Sequence, residues 1–95
     1  MGFAECIARV TVEADRAEVR YGPFTSTHEA LGVLLEEWDE LRAAVHANNV
    51  CAVRDEAVQI AAVATRLAAL CQRAHEAPDG MATPFARRSF PKRDR

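Results

Sequence analysis

Apolar positions follow a helical repeat from the start of the chain. In the first segment they lie three or four residues apart, at Ile7, Val10, Ala14 and Ala17. This is the spacing of one face of an α-helix, and no Gly or Pro interrupts it, so the segment predicts a helix over about residues 3–21. Gly22 and Pro23 follow directly, and both favour the end of a helix at this point.

The second apolar segment begins with a helix-capping signal. Ser26 is followed three residues later by Glu29, which is a capping-box pattern, and this predicts a helix over about residues 27–47. Because a helix turns by about 100° per residue, the large apolar side chains fall on one stripe, at Leu31, Leu34, Leu35, Trp38, Leu41 and Val45. We expect this stripe to be the main core-facing surface of the helix.

The third segment is the most apolar of the three. Asn48 or Asn49 can end the second helix and cap a third, which the spacing predicts over about residues 50–77. Between residues 58 and 71 the only charged residue is Arg66. A helix that is apolar nearly all round is buried on most sides, and we expect Arg66 itself to be solvated.

The fold predicted from these segments is all-α. No segment shows the alternation that is typical of a strand, so residues 1–77 are interpreted as one helical domain: two long antiparallel helices plus an N-terminal helix. Apolar residues make up 49% of the 95-residue chain. A chain of this size buries only about 60–65% of its unfolded surface when alone. The apolar surplus therefore predicts assembly into an oligomeric helical bundle.

Charge and cysteine usage bear on location and partners. Residues 1–77 carry 7 Arg and 12 Asp or Glu, net −5, whereas residues 78–95 carry 5 Arg or Lys and 2 Asp, net +3. We expect the second part to be a basic, disordered tail, and the acidic helical part argues against a nucleic-acid partner. No apolar run reaches the ~20 residues that cross a bilayer. The cysteines match no zinc spacing and are interpreted as reduced, buried thiols that act as small apolar side chains in a cytoplasmic protein.

Several acidic residues of the second and third helices fall where apolar neighbours are expected. Glu37 lies about 120° from Leu31, on a strip of small side chains, and Glu40 borders that strip. On the third helix, Glu56 projects to an apolar side, with Gln59 about 60° further round. Burying an unpaired carboxylate costs several kcal/mol or forces protonation. Basic partners, shared protons or a cation would each relieve that cost.

A cation suits these residues on chemical grounds. The pairs Glu37/Glu40 and Glu56/Gln59, brought face to face, would present a set of oxygen ligands, with Glu36 as a further ligand. Hard cations such as Mg²⁺ or Mn²⁺ prefer oxygen ligands of this kind. These residues are therefore interpreted as ligands of a divalent metal between the second and third helices. The alternative is that they are solvated acids on helix surfaces, which are common in proteins.

At these residues the chain resembles a known family. The stretches "HEALGVLLEEWDEL" and "RDEAVQIAAVATRLAAL" look like the MazG-like, all-α nucleoside triphosphate pyrophosphohydrolase superfamily, which has EExxE on one helix and ExxD on the next. The resemblance covers about residues 4–72. Residues Glu36, Glu37 and Glu40 occupy the EExxE positions, and Glu56 the Glu of ExxD. Gln59 departs from the pattern, because it stands where the family has Asp.

The resemblance implies a function and an assembly. Family members hold Mg²⁺ or Mn²⁺ and cleave a nucleoside triphosphate to the monophosphate and pyrophosphate, commonly as dimers or tetramers. It implies that Glu36 or Glu37 orients the attacking water or accepts its proton. Gln59 can bind a metal through its carbonyl oxygen but adds no charge, so weaker cation binding is expected. The alternative is a non-catalytic helical oligomerisation module with a degenerate metal site.

Overall fold

The computed structural model of the chain describes residues 2–77, and the basic tail predicted for residues 78–95 lies outside them. Three helices account for most of the described chain: α1 (Phe3–Tyr21), α2 (Thr27–His46) and α3 (Val50–Glu76). Residues 2–77 contain no strand. The all-α prediction is therefore confirmed, and the helix bounds lie within one residue of those expected.

Local capping explains where the helices begin and end. Gly22 has a positive φ of 77°, and its N–H donates to the carbonyl of Glu18 at 2.9 Å, which ends α1. The Ser26 hydroxyl accepts from the N–H of Glu29 at 3.0 Å, as the capping pattern predicts. The second half of the predicted capping box is replaced, because the Glu29 carboxylate accepts from the N–H of Thr25 at 2.7 Å instead.

A three-residue turn connects α2 to α3. Asn48 has φ of 56°, in the left-handed region that Asn tolerates. The side chain of Asn49 then accepts from the N–H of Ala52 at 3.1 Å and caps α3. Because the turn is so short, α2 and α3 pack side by side and antiparallel, as expected.

The long helix α3 lies between the other two. It packs against both α1 and α2, whereas α1 and α2 do not pack against each other within residues 2–77. α1 runs parallel to α3, since its polar bridges to α3 advance along both helices together: Arg9 to Asp55 at 3.3 Å, Gln59 to Glu13 at 2.9 Å and Arg66 to Glu18 at 2.8 Å.

The core lies where α2 and α3 meet the α1–α2 connection. Phe24, Ala30 and Val63 are buried there, with Leu67 and Leu70 packed against them. The face of α2 that α3 covers is the strip of small residues, which includes the buried Ala30 and Ala44. Small side chains let two helix axes approach closely, and this explains the choice of face.

Most of the predicted core stripe of α2 was therefore assigned wrongly, although Leu34 packs against the core as expected. Four of its large side chains remain about half exposed: Leu31 (49%), Leu35 (55%), Trp38 (54%) and Val45 (49%). Leu34 and Leu41 are partly buried at its edge. None of the helices within residues 2–77 has the length and apolar character needed to span a membrane.

Candidate metal centre

Three carboxylates from two helices converge on the α2–α3 interface. Glu37 and Glu40 lie one turn apart on α2, and Glu56 lies opposite them on α3. One carboxylate oxygen from each residue falls within 4.8 Å of the others. Glu37 and Glu56 are partly buried, and Glu40 is exposed. We call these three residues the acidic cluster; it forms because the small-residue strip that carries Glu37 is the face that α3 covers.

The cluster changes the acidity of its members. Burial, followed by the negative charges of Glu40 and Glu56, raises the pKa of Glu37 to about 7. Burial, followed by the charge of Glu40, also raises the pKa of Glu56. Hydrogen bonding between the Glu37 and Glu56 side chains further raises the pKa of Glu37 and acts to lower that of Glu56, which favours the proton on Glu37. Without a cation, the cluster therefore relieves its own repulsion by retaining a proton.

Arginines do not neutralise the acidic cluster. No Arg within residues 2–77 forms an ion pair with Glu37, Glu40 or Glu56. Arg54, two residues before Glu56, pairs instead with Asp55 at 3.1 Å, and this interaction lowers the pKa of Asp55. Of the three arrangements that could relieve buried acids, the shared proton and the cation remain. Three hard oxygen ligands on two rigid helices fit Mg²⁺ or Mn²⁺.

The two other residues of the predicted site lie outside the acidic cluster. The Gln59 side-chain amide donates to the Glu13 carboxylate at 2.9 Å, and so bridges α3 to α1 rather than to α2. Glu13 also pairs with Arg16 at 3.0 Å. Glu36 is exposed, on the neighbouring face of α2. The structure thus brings together three of the five predicted residues.

A cleft adjoins the acidic cluster. It has a volume of about 370 Å³ and is lined by the end of α1, the α1–α2 connection and one side each of α2 and α3: Tyr21, Gly22, Pro23, Phe24, Glu29, Val33, Glu36, Glu37 and Arg66. Glu36 and Glu37 place the cleft directly beside the cluster. Its volume falls in the range of about 300–1,000 Å³ that small-molecule sites occupy.

Arg66 lines this cleft and is buried there, contrary to the expectation from the sequence. It is only 6% exposed, so the expectation of a solvated side chain was wrong. Its Nε donates to Glu18 at 2.8 Å and its Nη2 to the Gly22 carbonyl at 3.1 Å. The guanidinium also lies 4.0 Å from the centroid of the Phe24 ring. The sequence signal for this burial is that Arg66 is the one charge in an apolar stretch of α3.

The local contacts around Glu29 complete the rim of the cleft. Hydrogen bonds from the backbone and then the side chain of Thr25 hold the pKa of Glu29 below its usual value. The Glu29 carboxylate is therefore engaged in hydrogen bonds at the start of α2.

Comparison of the chain with family models, with curated proteins and with solved structures finds no match in any of the three.

Proposed function

We propose that this chain is a divalent-metal-dependent nucleoside triphosphate pyrophosphohydrolase of the MazG-like all-α superfamily. The observation that carries the proposal is the convergence of Glu37, Glu40 and Glu56 beside a cleft large enough for part of a nucleotide. The resemblance of the EExxE and ExxQ stretches to the family pattern supports the same assignment. Water would add across the bond between the α- and β-phosphates, giving a monophosphate and pyrophosphate.

The acidic cluster would hold Mg²⁺ or Mn²⁺ in this proposal. When bound, such a cation neutralises phosphate charge and lowers the pKa of a coordinated water. Glu37 must lose its proton before the cation binds, since both require the same carboxylate oxygens. Glu36 lines the cleft beside Glu37 and is exposed. This position supports a role for Glu36 in accepting the proton of the attacking water.

Cation binding is the first test of this function. Isothermal titration of the full chain with Mn²⁺ at pH 8 is expected to show saturable binding that Glu56→Gln weakens strongly. Asp39→Asn is the matched control, because it also removes one acid, from an exposed position of α2 that lies outside the acidic cluster. Equal binding by both variants would contradict a metal site at the acidic cluster.

Turnover is the second test. Pyrophosphate and monophosphate release should be measured over a panel of ribo- and deoxyribonucleoside triphosphates with Mg²⁺ or Mn²⁺. We expect activity with at least one nucleotide, reduced roughly 100-fold or more by Glu37→Gln or Glu56→Gln, and retained by Asp39→Asn. No release at high protein concentration across the panel would contradict the enzymatic assignment.

A specific observation also favours the non-catalytic alternative. Glu37 and Glu56 can share a proton, and the Gln59 amide is engaged with Glu13 on the other side of α3. Both features describe a cluster that is stable without a cation. Under this alternative Mn²⁺ does not bind saturably, and Glu37→Gln raises the stability of the fold under all conditions, including excess Mn²⁺.

Assembly and location belong to the same proposal. We infer that the chain works as a homodimer or homotetramer, since large apolar side chains remain exposed on α2. Cys51 and Cys71 are exposed, so the expectation of buried thiols was wrong for these two. Exposed free thiols support a cytoplasmic, reducing location. Sedimentation equilibrium would establish the number of chains in the assembly.

A further inference from the structure

An open groove runs between α1 and α2. Both helices pack on α3 but not on each other within residues 2–77, so α3 forms the floor of the groove. The cleft described above is the end of this groove that the α1–α2 connection closes. Around α3, Gln59 and Asp55 lie about 60° and 100° from Glu56 in the same direction. The groove therefore extends from the acidic cluster across Gln59 to α1.

The flank of α1 that borders this groove is basic. Four residues spaced four, three and four positions apart lie within about 60° of one another around the helix: Arg9, Glu13, Arg16 and Arg20. Two of them contact the groove side of α3, because Arg9 donates to Asp55 at 3.3 Å and Glu13 accepts from Gln59 at 2.9 Å. We call these four residues the basic flank.

The two walls of the groove carry opposite charges. The α2 wall and the floor together present five carboxylates: Glu29, Glu36, Glu37, Glu40 and Glu56. The basic flank presents three arginines and one carboxylate. No ion pair within residues 2–77 joins the basic flank to α2. A phosphate chain that carries a divalent cation suits such a groove, since its cation can meet the acids while its oxygens meet the arginines.

The two arginines nearest the acidic cluster are each held by one carboxylate and keep further donors available. Arg9 donates through Nη1 to Asp55, and its side chain is 35% exposed. Arg16 pairs through Nη1 with Glu13 at 3.0 Å, and its side chain is 67% exposed. A guanidinium has five N–H donors, and neither arginine has another partner within residues 2–77. The remaining donors can therefore bind oxygens of a ligand.

Both guanidinium groups lie close to the acidic cluster along the groove. The carboxylate that Arg9 contacts belongs to the residue directly before Glu56 on α3, so Arg9 is level with the cluster. Arg16 pairs back to Glu13, which accepts from Gln59, and Gln59 lies about 4.5 Å beyond Glu56 along the axis of α3. Both oxygens of Glu13 are thus engaged, which reduces the repulsion of this acid for an anion.

The other arginines of residues 2–77 have less suitable positions. Arg42 lies at least about 140° round α2 from the acidic cluster. Arg54 lies about 160° from Glu56 around α3, and Arg73 lies about 25 Å beyond Glu56 along it. Arg66 is buried and donates to Glu18 and to the Gly22 carbonyl.

We propose that the basic flank of α1 binds the phosphate chain of the nucleotide, with Arg9 and Arg16 donating to phosphate oxygens whose cation is held by the acidic cluster. The proposal rests on the proposed function, because it requires that cation. The two sides of the ligand then meet separate parts of the fold: the metal meets the α2–α3 hairpin, and the phosphate oxygens meet α1. Binding of the metal alone can therefore be measured independently of phosphate binding.

Inorganic tripolyphosphate is a suitable probe, because it contains the phosphate chain without a nucleoside. Isothermal titration of the full chain with the Mn²⁺ complex of tripolyphosphate is expected to show saturable binding. Arg9→Gln and Arg16→Gln should each weaken it at least about tenfold. Arg42→Gln is the matched control, because it removes the same charge outside the groove, and it should change the affinity roughly twofold or less. Mn²⁺ alone should bind these variants as it binds the wild type.

Asp55→Asn separates phosphate binding from the docking of α1. This variant loses the same α1–α3 contact as Arg9→Gln but keeps the guanidinium, so it should weaken tripolyphosphate binding by a much smaller factor. Arg9→Lys keeps the charge without the planar fork, and its affinity should lie between those of the wild type and Arg9→Gln. Equal losses in Asp55→Asn and Arg9→Gln would overturn the inference, because Arg9 would then act only through the docking of α1.

The remaining outcomes distinguish this inference from the proposed function. If Mn²⁺ binds and the three Arg→Gln variants change tripolyphosphate affinity equally, the inference fails and the proposed function stands. If tripolyphosphate binding depends on Arg9 and Arg16 but no nucleotide is turned over, the inference is supported and the enzymatic assignment fails. Absence of saturable Mn²⁺ binding would overturn both, since it removes the cation that both require.

Discussion

Arg66 and Glu18 form an ion pair, with 2.8 Å between Nε and Oε2, that ties the middle of α3 to the end of α1. Side-chain exposure is 7% for the arginine and 28% for the glutamate. The same guanidinium holds the Gly22 carbonyl and lies over the Phe24 ring. One buried side chain thus fixes the connection between α1 and α2, which forms a wall of the cleft.

Removal of this arginine is expected to be costly. Arg66→Ala leaves Glu18 without its main partner and the Gly22 carbonyl without a donor. We expect a loss of about 3 kcal/mol in the free energy of unfolding, measured by urea denaturation. Arg73→Ala is the matched control, since Arg73 also approaches Glu18, at 3.8 Å, but is half exposed. Its loss should be about 0.5 kcal/mol or less; equal losses would contradict the assigned role of Arg66.

The two described glycines of the α1–α2 region should respond to alanine in opposite directions. Gly22 has φ 77° and ψ 172°, a backbone region essentially restricted to glycine, so Gly22→Ala should cost about 1–3 kcal/mol. Gly32 lies inside α2, and an added Cβ there would meet no atom within 4 Å. Gly32→Ala should therefore stabilise the fold by about 0.5–1 kcal/mol. Thermal denaturation of both variants tests the pair, and the prediction is wrong if both change in the same direction.

Stability without divalent cations should fall as the pH rises from about 4.5 to about 7. Glu37 has a pKa of about 7 in the folded chain against an ordinary value of 4.5. Between these values the folded chain binds more protons than the unfolded chain, so raising the pH favours unfolding. The full shift corresponds to about 3 kcal/mol, which solvent screening of a partly exposed group reduces to about 1–2 kcal/mol.

Substitutions identify the group responsible for this pH dependence. Glu37→Gln cannot titrate, so it should flatten the dependence and be more stable than the wild type at pH 8, as measured by urea denaturation in the presence of a chelator. Asp39→Asn, on the exposed face of the same helix, should keep the wild-type slope. A wild-type slope in Glu37→Gln would show that another group is responsible.

Substitution of Gln59 tests whether this residue links α3 to α1 or binds the cation. Gln59→Glu replaces the amide that donates to Glu13 with a like charge, so we expect a loss of about 1–2 kcal/mol in stability. Glu13→Gln in the same chain should restore most of it, and a double-mutant cycle measures the coupling. If Gln59 instead contacts the cation, Gln59→Glu should tighten Mn²⁺ binding, and the rescue by Glu13→Gln should be absent.

The helix bounds could be predicted because their signals are local. Gly22, Ser26 and Asn49 act through hydrogen bonds to residues three or four positions away, and the chain between them has few alternatives. The face of α2 that α3 covers could not be predicted in this way. One face of α2 carries large apolar residues and another carries small residues. α3 packs on the small-residue face, because small side chains allow the two helices to approach closely.

The candidate site could be predicted only in part. Helical geometry placed Glu37 on the small-residue strip of α2, but its approach to Glu56 depends on α3 covering that strip. The pairing of Gln59 with Glu13, and of Arg66 with Glu18, involves residues 46 and 48 positions apart. Such contacts depend on how α1 docks, for which the sequence pattern holds no local signal.

The position of α3 between its two neighbours has a consequence for local unfolding. Because α1 and α2 each pack only on α3 within residues 2–77, α1 can detach as a separate cooperative unit while the α2–α3 hairpin stays closed. The acidic cluster belongs entirely to that hairpin. The carboxylates can therefore keep their mutual geometry through fluctuations that expose the opposite flank of α3 to water.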